Sequence, residues 1–266
     1  QKEISSFEKI FKKSLSTDVK LLLKISNYIF KNPGKRIRPI LILLVSGLLG
    51  KINKKTYSAC VLIELLHTAT LVHDDIVDDA HFRRGKFSIN NLWKNKIAVL
   101  VGDFLLSRGL SFGLNNNTEM LVYTSLAVEK MSEGEILQIQ KSRNLDLSEK
   151  DYYDIIERKT GALFGCCFQL AAVSNNIKDE SQIKELYHIG LKMGKIFQIK
   201  DDIIDYDFNN ITGKIMGNDL KESKINLPLL YVVKNGSYFQ RQKIFRILRK
   251  KKKTNKEIIF LKNIVE

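Results

Sequence analysis

Apolar residues recur at helical spacing along almost the whole chain. The spacing predicts helices over residues 3–31, 38–50, 54–79, 89–114, 117–141, 148–175, 179–208 and 222–235, with one or two more after 237. Almost nothing alternates with the period of two that a half-buried strand shows. Breaks fall where turn-forming residues cluster, in KNPGKR, FRRGK, GLNNNT, SRNLDLSEKD, VSNNIKD and FNNITGKIMGND. Ser148 followed by Asp151 has the form of an N-terminal capping box, with aspartate in place of the usual glutamate or glutamine. With three prolines, no fixed-period repeat and no Gly/Ser-rich linker, residues 1–266 read as one all-α domain, a single large bundle of about ten helices.

Charge interrupts this pattern at one place above all. The run SACVLIELLHTATLV is apolar at helical spacing, and directly after it LVHDDIVDDAHFRRG brings acids and arginines together. On a helix Asp74 and Asp78 are i,i+4 neighbours and Asp75 and Asp78 are i,i+3 neighbours, so the three carboxylates share a face. Like charges so close destabilise one another unless a cation lies between them. Far along the chain GKIFQIKDDIIDYD repeats the spacing with Asp201, Asp202 and Asp205, again ending an apolar-periodic run. If the two helices face each other, six carboxylates converge on one cavity. All-oxygen donors, without a Cys set or a His-x-x-x-His pair, point to Mg²⁺ or Mn²⁺ rather than zinc.

The net charge of +15 raises the question of a nucleic-acid or membrane-surface protein. Composition argues against it: 34 of the 44 basic residues are lysine, as an AT-rich genome would impose, and RILRKKKKTNKE has no aromatics interleaved for base stacking. The ten arginines are more informative. Four fall in two short motifs, Arg36 and Arg38 in NPGKRIRP and Arg83 and Arg84 in HFRRG, where a planar fork suits bidentate grip on phosphate. Magnesium that shares its shell with substrate phosphates gives these arginines a partner. Cys60, Cys166 and Cys167 form neither a disulfide framework nor a zinc spacing and read as reduced core thiols. Uninterrupted apolar stretches such as PILILLVSGLLG are too short to span a bilayer and QKEISSFEKIFKK lacks a signal-peptide core, so a cytoplasmic protein is expected.

In this order and at about this spacing, LIELLHTATLVHDDIVDDAHFRRG, VGDFLLSRG, MSEGEILQ, ERKTGALF, FQIKDDIID, GKIMGNDL and KINLPL resemble the trans-type polyprenyl diphosphate synthases, over roughly residues 30–235. The likeness is strongest to bacterial long-chain members of the octaprenyl type. It implies a helical bundle with a central cavity, in which both aspartate clusters hold three Mg²⁺ ions on the diphosphate of an allylic substrate. It implies that Lys35, Arg38, His67 and Arg84 form the pocket for isopentenyl diphosphate. Arg83, Lys159, Lys214 and Lys224 match contacts to the allylic diphosphate, and Thr160 and Gln198 match positions that steady the carbocation. Expected partners are the two substrates and a second copy of the chain in a homodimer, with no nucleic acid and at most peripheral membrane contact for product release.

The chemistry asks for ionisation of an allylic carbon–oxygen bond, with negative charge growing on the leaving diphosphate, so no side-chain nucleophile is needed. That fits the absence of a Ser-His-Asp or Cys-His set. His67 lies i,i+7 from Asp74 and can face the site, whereas His73, His81 and His188 read as structural or exposed. Small residues Ala69 and Thr70, five and four places before Asp74, resemble the long-chain class, whose growing product runs along this helix. Alternatives are a farnesyl or geranylgeranyl diphosphate synthase and a subunit of a heteromeric synthase. A terpene cyclase is disfavoured by the second aspartate triplet. Three departures from the family pattern bear on loops: Pro33 for a glycine, Ile215 for a proline, and Asn226 for a threonine. The chain stops soon after KEIIFLKNIVE, so one or two C-terminal helices are expected to be missing.

Overall fold

Helices account for most of the computed structural model, which describes residues 2–206, 220, 224–250 and 252–265. In chain order they are α1 (Lys2–Ser14), α2 (Lys20–Lys31), α3 (Ile37–Leu49), α4 (Lys54–Val77), α5 (Ile89–Asn116), α6 (Thr118–Asn144), α7 (Glu149–Ile156), α8 (Ala162–Ser174), α9 (Glu180–Ile204), α10 (Leu227–Asn235), α11 (Tyr238–Leu248) and α12 (Asn255–Asn263). A π-helical turn, Glu157–Gly161, joins α7 to α8. The all-α expectation holds. The helix expected over residues 3–31 is two helices, because Thr17 accepts from the Val19 amide at 3.3 Å and the backbone turns between Leu15 and Val19.

Two compact units can be described. The first comprises Gln1–Val128 with Leu163–Gly190, the second Glu129–Ala162 with Leu191–Glu266. In the first, α4 packs against α1, α3 and α5. Every residue from Val61 to Leu66 is buried, so the middle of α4 is covered on every side, as its apolar sequence requires. A side chain at Gly109 would meet Leu66 at 2.7 Å, which explains how α5 comes so close. A capping box fixes the start of α4: the Asn53 side chain accepts from the Thr56 amide while the Thr56 hydroxyl accepts from the Asn53 amide.

Between α4 and α5 lies a two-residue hairpin that the helical pattern did not foretell. Phe82 pairs with Phe87 and Arg83 with Lys86, and the turn residues Arg84 and Gly85 both have positive φ (53° and 72°), as a type I′ turn requires. The Phe82 and Phe87 rings stack at 4.8 Å. Tyr28 on α2 donates to the Phe87 carbonyl at 2.6 Å, and Ser88 donates to Ala80 at 2.6 Å.

In the second unit Tyr152, Ile156, Tyr206, Leu229, Ile244 and Leu261 lie within one apolar cluster fed by α7, α10, α11 and α12. Ser148 and Asp151 form the capping box expected for α7, and Ser237/Gln240 and Thr254/Glu257 cap α11 and α12 in the same way. By length and composition α5 is apolar enough to cross a membrane, although no uninterrupted apolar run in the sequence is. Lys94 (φ 71°, ψ 160°) interrupts its helical backbone, and its buried residues pack on α4.

Candidate active site

In the first unit the cationic residues converge on one imidazole. Arg38, at the start of α3, places Nη1 2.8 Å from Nε2 of His67 on α4. A guanidinium can only donate, so Nε2 accepts and the neutral ring carries its proton on Nδ1. Burial first, then the charges of Arg38, Arg84, Arg83 and Arg36, hold His67 well below its ordinary range. Both His67 Nδ1 and Arg38 Nε are buried with no hydrogen-bond partner among the described residues. Buried donors set among guanidinium groups suit an anion.

The loop before α3 completes this wall. The Arg84 guanidinium rests against Gly34 where any Cβ would stand, so only glycine leaves it room. Lys35 is exposed beside it. Burial pulls the pKa of Arg84 down, and the neighbouring charge of Arg83 adds to the effect. Arg83 itself reaches back to α4, its Nε 2.5 Å from Oδ1 of Asp75. Burial raises the Asp75 carboxyl while Arg83 opposes that shift. Asp75, Arg83 and Arg84 also line a solvent-open pocket of about 580 Å³ walled by Leu71, Val72 and Phe87.

Arg36, expected to grip phosphate, commits one guanidinium nitrogen to the protein itself, while its Nε and Nη2 have no hydrogen-bond partner among the described residues. Its side chain is buried and its Nη1 donates to Glu64, also buried, on α4. The guanidinium lies over the rings of Phe11 and Phe7, 4.8 and 5.9 Å from their centroids. Two consecutive basic residues before a helix, Lys35 and Arg36, thus go opposite ways, because Arg36 takes a left-handed backbone (φ 51°, ψ 33°). Glu64 escaped the sequence reading, although a lone acid inside ACVLIELL is a signal of a buried ion pair.

In the second unit the π-helical turn sets Lys159 and Thr160. Such a turn carries one residue more than an α-turn, and Gly134 lets it lie close: a Cβ there would meet the Lys159 amide nitrogen at 2.9 Å. Lys159 pairs with Glu135 and donates to Gln138 Oε1 at 2.8 Å. Thr160 donates to Gln198 Oε1 at 2.8 Å, and Gln198 Nε2 donates to Asp202 Oδ1 at 2.8 Å. Tyr152 donates to the other oxygen of Asp202 at 2.7 Å, a partner for which the sequence held no signal. Lys224 is half-buried near the start of α10, and Asn226 accepts from the Tyr206 hydroxyl at 2.6 Å. Lys214 and Ile215 lie outside the described residues.

Asp74 on α4 and Asp78, the residue that follows its last turn, are half-buried, and Asp201 is half-buried near the end of α9. Asp75 and Asp202, expected among the metal ligands, accept from the protein's own Arg83, Tyr152 and Gln198. Among the described residues no three His, Cys, Asp or Glu are gathered into a preformed metal centre. Carboxylates at i,i+4, without a closed cage, suit a hard divalent cation whose shell is finished by water and phosphate oxygens, and so fit Mg²⁺. Of the residues expected to set product length, Ala69 is buried (2% exposed) and Thr70 is half-buried, its hydroxyl donating to the His67 carbonyl at 2.9 Å.

The chain is similar to known proteins in sequence and in fold. The family pattern of polyprenyl synthetases matches residues 19–265. The all-trans-nonaprenyl-diphosphate synthase (geranyl-diphosphate specific) of Rhodobacter capsulatus is 37% identical over 248 residues, 92% of this chain and 75% of that one. Component 2 of the heptaprenyl diphosphate synthase of Bacillus subtilis is 37% identical over 237 residues, 88% of this chain and 67% of that one. The crystal structure of a polyprenyl synthase from Caulobacter crescentus, complexed with calcium and isoprenyl diphosphate, matches with a TM-score of 0.92 at 30% identity, covering 99% of this chain and 80% of that one. By this family match and these identities the chain is a trans-prenyltransferase. It belongs to the polyprenyl synthetase family.

Proposed function

We propose that the protein condenses isopentenyl diphosphate head to tail with an allylic prenyl diphosphate and repeats the step to a long-chain all-trans polyprenyl diphosphate. The observation that carries this is the pair of orphaned donors, Arg38 Nε and His67 Nδ1, buried among arginines. Lys35, Arg38, His67 and Arg84 take the diphosphate of isopentenyl diphosphate. Arg83, Lys159, Lys214 and Lys224 take that of the allylic substrate.

Asp74, Asp75 and Asp78 in one cluster and Asp201, Asp202 and Asp205 in the other are the carboxylates that would hold Mg²⁺, three ions in all. Bound Mg²⁺ stabilises the negative charge that grows on the leaving diphosphate. The allylic carbon–oxygen bond breaks with its electron pair leaving on diphosphate; the double bond of isopentenyl diphosphate then forms the new carbon–carbon bond, and a proton is lost to the released diphosphate. Thr160 donates its hydroxyl hydrogen to Gln198, which leaves the Oγ1 lone pairs to face the cation. Apolar walls keep water from it.

The test is Mg²⁺-dependent release of diphosphate from farnesyl diphosphate plus isopentenyl diphosphate, with products sized by chromatography. Products longer than geranylgeranyl are expected, and a chain that stops at farnesyl overturns the long-chain assignment. Exposed Leu100, Leu114, Val122 and Leu126 support a homodimer. The likeness to a component of a two-component synthase favours a second reading, in which activity needs another polypeptide. Activity of the purified chain alone at dimer mass decides between them. The two compact units are taken as one catalytic domain of a cytoplasmic enzyme.

A further inference from the structure

The Arg36–Glu64 pair is more elaborate than the fold requires. A buried ion pair contributes little stability over apolar residues of similar volume, so its retention calls for another role. Its location supplies one. Arg36 is the residue before α3, between Lys35 and Arg38, and its carbonyl accepts the first helical hydrogen bond from Ile40 at 3.0 Å. Its left-handed backbone sets where Lys35 leaves the chain on one side and Arg38 on the other. Arg36 makes no side-chain capping bond to α3 that would hold that conformation. What holds it is remote: Glu64 fixes one end of the guanidinium, and the fully buried Phe7 and Phe11 rings of α1 cover its face. Glu64 also lies three residues before His67 on α4, and its carbonyl accepts from Thr68 at 2.6 Å, so the anchor and the imidazole ride on the same turn.

We infer that Glu64 is a positioning residue for isopentenyl diphosphate, acting through Arg36 to aim Lys35 and Arg38, with Phe7 and Phe11 of α1 as the clamp. The inference rests on the assignment of Lys35 and Arg38 to that substrate. It makes α1, which precedes the residues matched by the family pattern, part of the substrate-binding apparatus.

Three variants test it: Glu64→Gln, the apolar replacement of both partners Arg36→Met/Glu64→Leu, and Arg38→Gln as reference. The double variant leaves no buried charge unpaired and keeps the fold, which circular dichroism and the urea midpoint establish. Its KM and calorimetric Kd for isopentenyl diphosphate are expected to rise about tenfold, as small misplacements of binding groups do, with kcat and the KM for farnesyl diphosphate unchanged. A folded double variant with unchanged affinity for isopentenyl diphosphate, beside an Arg38→Gln variant that has lost it, overturns the role of Glu64. An Arg38→Gln variant with unchanged affinity overturns instead the assignment of the pocket, and this inference with it. Equal losses of kcat and of affinity for both substrates would reduce the pair to a structural part.

Discussion

The phenol of Tyr152 and the carboxylate of Asp202, 50 residues apart in the chain, meet at 2.7 Å in the interior of the second unit. Gln198 takes the remaining oxygen of Asp202, so the middle carboxylate of the DDIID run serves as the acceptor that orients Gln198 toward Thr160. Tyr152→Phe keeps the ring and removes the donor. Leaving a buried carboxylate short of a charge-assisted bond is expected to lower stability by about 1.5–3 kcal/mol, measured by urea unfolding. Turnover is expected to fall as Gln198 loses its orientation, with substrate KM values held.

Removing a carboxylate proposed to hold Mg²⁺ acts differently. Asp74→Asn is expected to cut kcat at least about a hundredfold, because the cation that stabilises the leaving group is lost. The unfolding midpoint stays level or rises, since one of several neighbouring like charges has gone. Chelation of divalent cations from the unmodified protein should abolish turnover and leave circular dichroism unchanged.

Gly34→Ala places a methyl group where the Arg84 guanidinium now lies. The far end of a long side chain yields easily, so the fold persists, but the fork leaves its place. KM for isopentenyl diphosphate is expected to rise about tenfold with kcat little altered, read from steady-state kinetics.

His67 gives the protein a defined response to acid. Its folded pKa lies below the ordinary 6.5, so below that pH the unfolded chain binds a proton that the folded protein refuses. Stability therefore falls as pH drops below about 6.5, by up to about 1.4 kcal/mol per unit, until the folded pKa is reached. In His67→Gln this slope is removed. Urea unfolding at pH 7 and pH 5 for both proteins measures the difference.

Ala69 lies five residues before Asp74, about 7.5 Å along the axis at 1.5 Å per residue. Ala69→Phe is expected to shift products to farnesyl or geranylgeranyl length. Because Ala69 is buried, overpacking also lowers stability by about 1–3 kcal/mol. Shortened products in a folded variant bear out its role; unchanged lengths assign Ala69 to packing alone.

Much of this was legible in the sequence for a physical reason: helices and their boundaries depend on near neighbours. The apolar period located α4, and Ser148 with Asp151 announced the start of α7. The aspartate triplets stood out because charge at the end of an apolar run is anomalous wherever the chain goes next. Arg36 and Arg38 could not be told apart, since their difference lies in one backbone angle and in Glu64, 28 residues away. The π-helical turn was invisible because a single added residue does not disturb a hydrophobic period over so short a span. The hairpin at Phe82–Phe87 was read only as a break, being too short to show alternation.

That hairpin has a consequence for how the chain can evolve. Its turn holds two residues, both with left-handed backbones, and has no slack to absorb a third. One residue gained or lost between Phe82 and Phe87 would exchange the faces of the strand, carrying Arg83 off Asp75 and Arg84 off Gly34 together. An exposed side chain such as Lys86 is expected to tolerate substitution without moving these contacts, whereas a change in the length of the segment is not. The spacing from Asp75 to Arg84 is therefore as much a part of the site as the two arginines themselves.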